Sequence, residues 1–567
     1  MASLETLFLR SLSDAPKLRI VAVADSPHLG RPEAAALQHI ERSNFATLVA
    51  VVLPGPRDGA SPAAGSLGRK SAPALLNQIG FRFLEALDRR VFPDVHALIA
   101  PVDCSDVFAR RASLPAEPAD RSGALVFPAG TMAALKELKP DVILHCAPGP
   151  VPDALCSLAR FGVWSIHLGE PREPRPGTPY FREVRDGRLL SSVALLMHGG
   201  PSGGVHVLTQ AQVATEHSLF RGKNCVRPTL TALTFVIRKL HELHQRGWDQ
   251  FAQGLVAVPA ATNDVPRGRD IPHNREVVKF LAPRIGRRVV NRVRQAASTF
   301  CWQIALRSGF PQKLVEDVSP EGLAAFRWIS PPQAGYFADP FLLRRQGRLW
   351  LFCEEMSFSE GKGALACMEV LPDGSLSESV RVLSRPYHLS YPAVFEAEGE
   401  VFMIPETMQS GCVELYRAAD FPHSWVKVRD LLPIRAVDSM PVVFEGRVWL
   451  FVTAIDPDEA SYQLLLFHSD RLDGDWTLHP SSPLSLDIRY ARSAGAIVSH
   501  NGKLYRPSQD CAPYYGHKLN LHEITRLDTR GYEERLVHQI EPGAWPGLRG
   551  VHTYALCGDV EVIDGQK

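Results

Sequence analysis

The stretch ADPFLLRRQGRLWLF at 338–352 decides the architecture of half of this chain, because its pattern returns. It reads as an apolar strand, a tight turn holding Gly347 and a second strand rich in aromatic side chains, which is the pattern of a β-hairpin. YPAVFEAEGEVFMI at 391–404, MPVVFEGRVWLF at 440–451 and GAIVSHNGKLY at 495–505 repeat it, and VHTYALCGDVEV at 551–562 is a fifth, truncated copy. The period is about 50 residues, as in propeller arrays. One hairpin cannot bury both of its faces. Extended to four strands and stacked on its neighbours around an axis, it becomes a propeller blade. The reading for 320–567 is an all-β five-bladed propeller.

Upstream, the pattern changes. Pro259, Pro266, Pro272 and Pro283 punctuate a polar stretch, and Arg284–Arg294 interleaves arginines with Ile285, Val289, Val290 and Val293. Residues 251–319 therefore read as a linker with a basic amphipathic helix whose arginines face solvent.

Residues 1–250 alternate short apolar runs with helical spacing. LRIVAVA at 18–24 ends at Asp25-Ser26-Pro27, a helical stretch covers Glu33–Glu41, and TLVAVVL at 47–53 is a second buried strand. A Gly/Ser/Pro-rich loop follows to Lys70. The pattern then predicts helices near 73–90 and over Ala133–Lys139, and a strand over Asp141–His145. This alternation is that of a doubly wound, Rossmann-like α/β domain, in which ligands sit beyond the carboxyl ends of the strands. The segment after Trp164 falls at such an end.

The 567 residues exceed what one hydrophobic core organises. Hydrophobic residues at 45% and charged residues at 22% describe folded domains, and a net charge of +1 gives no field that would draw nucleic acid. The 10 cysteines show neither CxxC nor Cys/His ligand spacing, so they read as free thiols of a reducing compartment, with no metal site. No run approaches the ~18–20 apolar residues of a transmembrane segment, and no signal-peptide pattern is present. The expected location is cytoplasmic.

GVWSIHLGE at 162–170, followed by Arg172, Arg175, Gly177, Pro179, Phe181 and Glu183 and preceded by LKPDVIL at 138–144, resembles the active-site stretch of the formyltransferase superfamily. That family includes methionyl-tRNA and sugar N-formyltransferases. The resemblance implies transfer of a formyl group from 10-formyltetrahydrofolate to an amine, through a tetrahedral oxyanion that needs a hydrogen-bond donor and a group to manage the amine proton. His167 matches the family histidine. Ser165 stands where the family has Asn, and Ser202, in SGGVHVL at 202–208, stands where it has Asp. Glu170, His198 and His206 are the candidates to replace that carboxylate.

The C-terminal half resembles the glycosidase-like five-bladed propellers, and more closely the propeller of plant glucosamine inositolphosphorylceramide transferases. FADPF at 337–341, LSYP at 389–392 with IPE at 404–406, and LRGVHTY at 548–554 carry the likeness. Glycoside chemistry uses two carboxyls across a sugar. Asp339 is the first candidate, and Glu406, Asp438, Glu354 or Glu355 the second. Tyr391 stands where the glycosidases carry an aspartate. Asp339, Tyr391, Glu406, Asp438 and His552 are expected around one axial pocket, with Asp339 facing solvent and Tyr391 and Tyr554 stacking on sugar rings. Carboxylates at blade starts also fix turns through backbone hydrogen bonds, and that alternative stays open.

Three functions follow. The first is a formyltransferase-like enzyme of polysaccharide biosynthesis acting on an amino sugar or glycan intermediate, its propeller recognising carbohydrate. The second is a non-catalytic carbohydrate-binding or assembly protein. In the third the propeller itself is the glycoside-hydrolase-like domain.

Overall fold

The computed structural model describes residues 4–54, 78–117, 125–173, 178–216, 218, 220–259, 272–282, 301–330, 334–455 and 462–567. The chain divides into two compact units, Glu5–Arg294 and Gln295–Lys567.

The first unit is built on an eight-stranded sheet in the order Val256–Ala257, Val205–Ala214, Leu190–His198, Val163–Leu168, Val142–His145, Leu18–Val23, Ala46–Pro54 and Ala112–Ala116. The five strands from Val163–Leu168 onward are parallel, and the other three continue the sheet antiparallel. Strands buried on both faces need apolar residues at successive positions, which is why LRIVAV carries no alternation. Val163 joins Val21, Val23, Ile143 and Leu135 in one core. Trp164, one residue on, points to the other face and stacks on Phe251 of helix Phe235–Ala252 with ring centroids 6.1 Å apart. Helices thus cover both faces, as the alternating pattern requires. Those expected at Glu33–Glu41 and Ala133–Lys139 run over Arg31–Arg42 and Ala129–Leu138, and the one expected near 73–90 is described over Ile79–Val91. The Gly/Ser/Pro-rich loop to Lys70 lies outside the described residues.

The second unit is a five-bladed propeller. Residues 335–383, 390–432 and the described residues of 436–478 each form a four-stranded antiparallel blade, and 492–540 form a five-stranded one. The hairpin turns Gln346-Gly347, Glu398-Gly399, Glu445-Gly446 and Asn501-Gly502 all place both residues at positive φ. That is the type I′ turn, whose twist matches that of the strands it joins. Aromatic side chains of adjacent blades, among them Phe352, Trp425 and Phe451, fill the space between them.

The fifth blade corrects the sequence boundary. Tyr554–Cys557 and Val560–Gln566 are not a truncated copy: Trp302–Ser308 pairs along Val560–Gln566 and Arg327–Trp328 completes the sheet. The propeller therefore begins ahead of residue 320, and its first strand closes the ring against its last. Nothing local announces this strand, because its partner lies at the far end of the chain. Arg307 and Glu561, both buried, form an ion pair at 2.7 Å across this seam. Glu561 also accepts from the Leu314 N–H and the Tyr554 hydroxyl, each at 2.8 Å. Within the stretch read as a linker, Val256–Ala257 is a sheet strand and 274–282 are helical. The basic segment Arg284–Arg294 lies outside the described residues.

No helix among the described residues is long and apolar enough to cross a membrane. The ten cysteines are free.

Candidate functional site

Asp339, Tyr391 and Asp438 occupy equivalent places in three successive blades, and each has a left-handed backbone, with φ of 51°, 48° and 48°. Each lies where the register between the first two strands of its blade slips, between Ala338 and Phe341, Ser390 and Ala393, and Val437 and Met440. A side chain other than glycine costs about 1 kcal/mol or more in this conformation. Three repeats of that cost concentrate strain at the propeller centre.

The three side chains have different partners. Asp339 accepts from the Tyr391 N–H of the next blade at 3.2 Å and from the Thr553 hydroxyl at 3.0 Å. Its own N–H donates to Asp564 at 3.0 Å. Asp564 also accepts from the N–H groups of His552 and Thr553 and, at 2.7 Å, from His552 Nδ1. His552 Nε2 then faces Asp339 at 3.6 Å. Asp438 accepts from Arg492 Nε at 2.5 Å and Gln509 Nε2 at 3.1 Å, while the Arg492 guanidinium lies 3.8 Å from Glu406. Tyr391 is fully buried, with its hydroxyl donating to the Gly495 carbonyl at 2.8 Å and accepting from the Gly495 N–H at 2.7 Å.

Five carboxyls, Asp339, Glu354, Glu406, Asp438 and Asp564, thus stand buried near the Arg492 guanidinium and the imidazoles of His552 and His388. Burial, reinforced by Asp438 and Asp564 and opposed by His552, raises Asp339 to about 6. Burial and the neighbouring carboxylates hold Glu354 and Glu406 well above the usual range. Burial alone would lower His552, but Asp564 and Asp339 raise it. Perturbation of this size, shared by several groups at one point, is what acid–base chemistry needs.

It also fixes the sign of a pH effect. At Asp339, Glu354 and Glu406 the folded propeller binds protons more tightly than the unfolded chain, so their contribution is fully present below the unfolded carboxyl values near ~4. It is lost as pH rises through about 6 for Asp339, and through the raised values of the two glutamates. Urea unfolding of wild type and Asp339→Asn at pH 5, 6.5 and 8 should show wild type losing stability relative to the variant as pH rises through about 6. A difference between the two that does not change with pH would contradict the assignment.

The structure brings Asp339, Glu406, Asp438 and His552 together as expected but revises two roles. Asp339 is 4% exposed and does not face open solvent. The backbone bond it accepts comes from the next blade, so it joins blades as well as carrying charge. Tyr391 and Tyr554 are buried with their hydroxyls spent, so neither offers a ring face to a sugar. The exposed ring here is Tyr515, 39% accessible, with the Arg492 guanidinium 4.5 Å from its centroid and His552 edge-on at 5.3 Å. Trp302 stacks on His552 at 3.8 Å. Arg492, Asp564 and Trp302 were not picked out from sequence. The available signal for Asp564 was a charged residue inside a largely apolar strand, VEVIDGQ at 560–566. Glu355 turns away from the group and pairs with Arg381 at 3.0 Å.

In the first unit, Val163 pairs with His198 and His167 with Ala194, so the two ends of strand Val163–Leu168 collect different residues. At the carboxyl end, His167 Nε2 donates to the Glu170 carbonyl at 3.1 Å. The Glu170 carboxylate accepts from Gln210 Nε2 at 3.2 Å, and the same amide donates to Ser192 Oγ at 2.7 Å. Ser165 Oγ pairs with His198 Nε2 at 3.0 Å. His167 is 7% exposed, not open to a cleft. Ser202 is corrected outright: it is exposed in the turn that joins Leu190–His198 to Val205–Ala214, and Gly199 and Gly200 of that turn pack on Cys156 and Phe161-Gly162. This is the amino end of the strand, about 13 Å along it from His167 at ~3.3 Å per residue. His206, opposite Met197, lies at that end too. Glu170 is the carboxylate that the fold places beside His167. Arg175 and Gly177 lie outside the described residues.

Among the described residues two groups have metal-ligand chemistry, Asp339 with His552 and Asp564, and Cys412 with Glu414 and Asp430. In the first, Asp564 is occupied by the four donors above. In the second, the Lys427 ammonium lies 2.8 Å from Glu414 and 2.7 Å from Asp430, in the place a cation would take.

Residues 329–553 match the family described as glucosamine inositolphosphorylceramide transferase 1, N-terminal. A glucosamine inositolphosphorylceramide transferase 1 of Oryza sativa subsp. japonica is 33% identical over 257 residues, covering 42% of this chain and 34% of that protein. The Arabidopsis thaliana protein of the same name is 32% identical over 234 residues, covering 39% and 30%. The chain spans about a third of the length of the curated relatives it matches. Among solved structures, an α-L-arabinanase of Cellvibrio cellulosa aligns at 14% identity over 35% of this chain and 77% of that chain, with a TM-score of 0.28. A family 117 glycoside hydrolase of Zobellia galactanivorans aligns at 11% identity over 43% and 76%, with a TM-score of 0.30. The stretch that matches the family contains the axial carboxylates of the first three blades together with Arg492 and His552.

Proposed function

We propose that this chain acts on a carbohydrate and that the axial group of the propeller is where the sugar binds. The observation that carries the reading is the convergence of Asp339, Glu354, Glu406 and Asp438 from three blades, with three of them holding protons above the ordinary range. Sugar hydroxyls pair with carboxylates as donors and with protonated carboxyls as acceptors, and this group offers both. Tyr515 supplies the exposed ring face and Arg492 the charge beside it. The name of the relatives that match this region, glucosamine inositolphosphorylceramide transferase, supports a carbohydrate as the substrate class.

Asp339→Asn tests the reading. It keeps the shape and one acceptor oxygen, so the domain should stay folded while glycan binding falls about tenfold or more, the cost of one charged hydrogen bond. Glycan-array profiling followed by calorimetry on the best ligand measures it. An unchanged glycan profile in a variant that melts earlier would make Asp339 a structural residue and place the function elsewhere.

A second reading concerns the first unit. His167, Glu170, Ser192 and Gln210 gather at a strand's carboxyl end, where doubly wound sheets take ligands. With 10-formyltetrahydrofolate bound there as donor, the formyl carbon would come from the folate and the acceptor would be an amino sugar or glycan intermediate. The hydroxyl, amide, carboxylate and imidazole present suit that chemistry. Glu170 would take the proton of the attacking amine and pass it to the folate nitrogen as that nitrogen's bond to the formyl carbon breaks, while Ser165 or His167, turned from its present partner, would donate to the formyl oxygen. His167→Ala should then abolish formyl transfer, and Ser165→Asn should keep or raise it, one such donor being worth ~10²–10³ in rate. Transfer assays on amino sugars, with calorimetric titration of 5-formyltetrahydrofolate, test this. Full activity in His167→Ala would remove the assignment.

A further inference from the structure

Glu354 differs from the other axial carboxyls. Its side chain is 7% exposed, and Oε1 makes no hydrogen bond. Asp339, Asp438 and Asp564 are each spent on two or more donors, and Glu406 lies 3.8 Å from the guanidinium that Asp438 binds. The group nearest to Glu354 Oε1 is His388 Nε2, at 3.5 Å. That imidazole has one possible neutral form. The Gly363 N–H donates to His388 Nδ1 at 3.0 Å, so Nδ1 carries the lone pair and the ring proton sits on Nε2, toward Glu354. The Leu389 N–H, donating to the Gly363 carbonyl at 3.1 Å, and the His388 N–H, donating to Gln409 Oε1 at 3.2 Å, hold the ring in place. Gly363 is a requirement of the arrangement: a Cβ there would lie 2.6 Å from Glu354 Oε1 and 2.5 Å from the Leu389 carbonyl.

Resting on the reading of the axial group as a carbohydrate site, we propose that Glu354 is its proton donor and that His388 is a positioning residue, a fixed neutral hydrogen-bond donor to the carboxylate left behind. In the step, the O–H bond of Glu354 breaks and its proton goes to an oxygen of the bound sugar. The carboxylate keeps the electron pair, and the His388 Nε2–H closes the 3.5 Å gap onto it. His388 cannot itself deliver the proton, since protonating Nδ1 would break the Gly363 bond. Burial also lowers its basicity, which keeps the ring neutral. The charged and titratable groups facing Glu354 are Asp339 of its own blade, Glu406 and Asp438 of the next two, Asp564 of the closing strand and the Tyr336 phenol, besides His388 itself. All but His388 oppose its ionisation. One neutral donor is what allows it.

Infrared difference titration of the full chain from pH 5 to 9 tests the pair. Wild type should show a protonated-carboxyl C=O band that Glu354→Gln removes. His388→Phe, which keeps a ring and loses the donor, should raise the midpoint of that band by about one pH unit or more, and His388→Gln, which restores an N–H, should bring it back. A purely structural role would leave the midpoint alike in both. Ring-labelled ¹⁵N histidine should report His388 as the Nε2–H form throughout that range. If Glu354→Gln does not fold, the His388 variants, altered at a side chain 32% exposed, and the wild-type nitrogen shifts decide the matter. An unchanged midpoint in His388→Phe, or a His388 imidazolium at pH 6.5, overturns the proposal. Loss of the glycan result under Asp339→Asn would instead overturn the carbohydrate reading while leaving the infrared pair standing, so the two failures are distinct.

Discussion

Asp564→Ala is expected to destabilise the propeller by about 5 kcal/mol or more, enough to leave much of it unfolded at neutral pH. Asp564 lies on the last strand of the chain and accepts from the N–H groups of Asp339, His552 and Thr553 and from the His552 imidazole. Alanine leaves those donors buried without an acceptor, at ~1–3 kcal/mol each. One of them, the Asp339 N–H, belongs to the first blade, so the loss also opens the contact between the closing strand and the ring's beginning. Asp564→Asn keeps one acceptor oxygen and should cost less than half as much. Urea denaturation followed by tryptophan fluorescence gives both values, with Trp302, stacked on His552, as a local reporter. An Asp564→Ala protein within 1 kcal/mol of wild type would mean that water replaces the carboxylate, and that the axial group is more open than its burial indicates.

Arg492→Leu should cost about 3–5 kcal/mol at pH 8, the range found when one partner of a buried ion pair is removed. Arg492 bonds Asp438 at 2.5 Å, lies 3.8 Å from Glu406 and donates to the Tyr462 hydroxyl at 3.2 Å. Without it two carboxyls face each other with no cation between them. The loss should shrink as pH falls toward 5, because Glu406 already holds its proton well above the ordinary range and the pair then carries less charge. Arg492→Leu combined with Asp438→Asn should recover much of the loss. Arg492→Lys, which keeps the charge but not the planar fork, should fall between the two. A double-mutant cycle at pH 5 and pH 8 measures the coupling. A penalty independent of pH would assign the effect to packing of the side chain on Tyr515 and Tyr462, not to charge.

The residues legible in the sequence and those that were not differ in the range of the forces that place them. The hairpins at 338–352, 391–404 and 440–451 were readable because strand alternation and the type I′ turn are set by neighbours in sequence. Equivalent positions in repeated blades meet at the axis, so Asp339, Asp438, Glu406 and His552 could be grouped before any contact was known. In the first unit, the apolar runs and the helix stop at Lys139, where φ is 45°, were local in the same way. His167 fell at a strand's carboxyl end for the same reason.

What stayed hidden depends on partners far along the chain. Trp302–Ser308 reads as part of a linker until Val560–Gln566 lies beside it. Tyr391 reads as a sugar-stacking ring until Gly495, 104 residues away, takes both sides of its hydroxyl. Ser202 reads as the replacement for an acidic residue until the strand pairing puts its turn at the wrong end of the sheet. The sequence by itself determined the repeating blades, the alternating α/β unit and most of the acidic residues at the axis. The tertiary structure decided which of those carboxyls share protons, which ring is exposed and where the propeller closes. Burial and electrostatic coupling act through space, and they exist only once the chain has brought distant strands together.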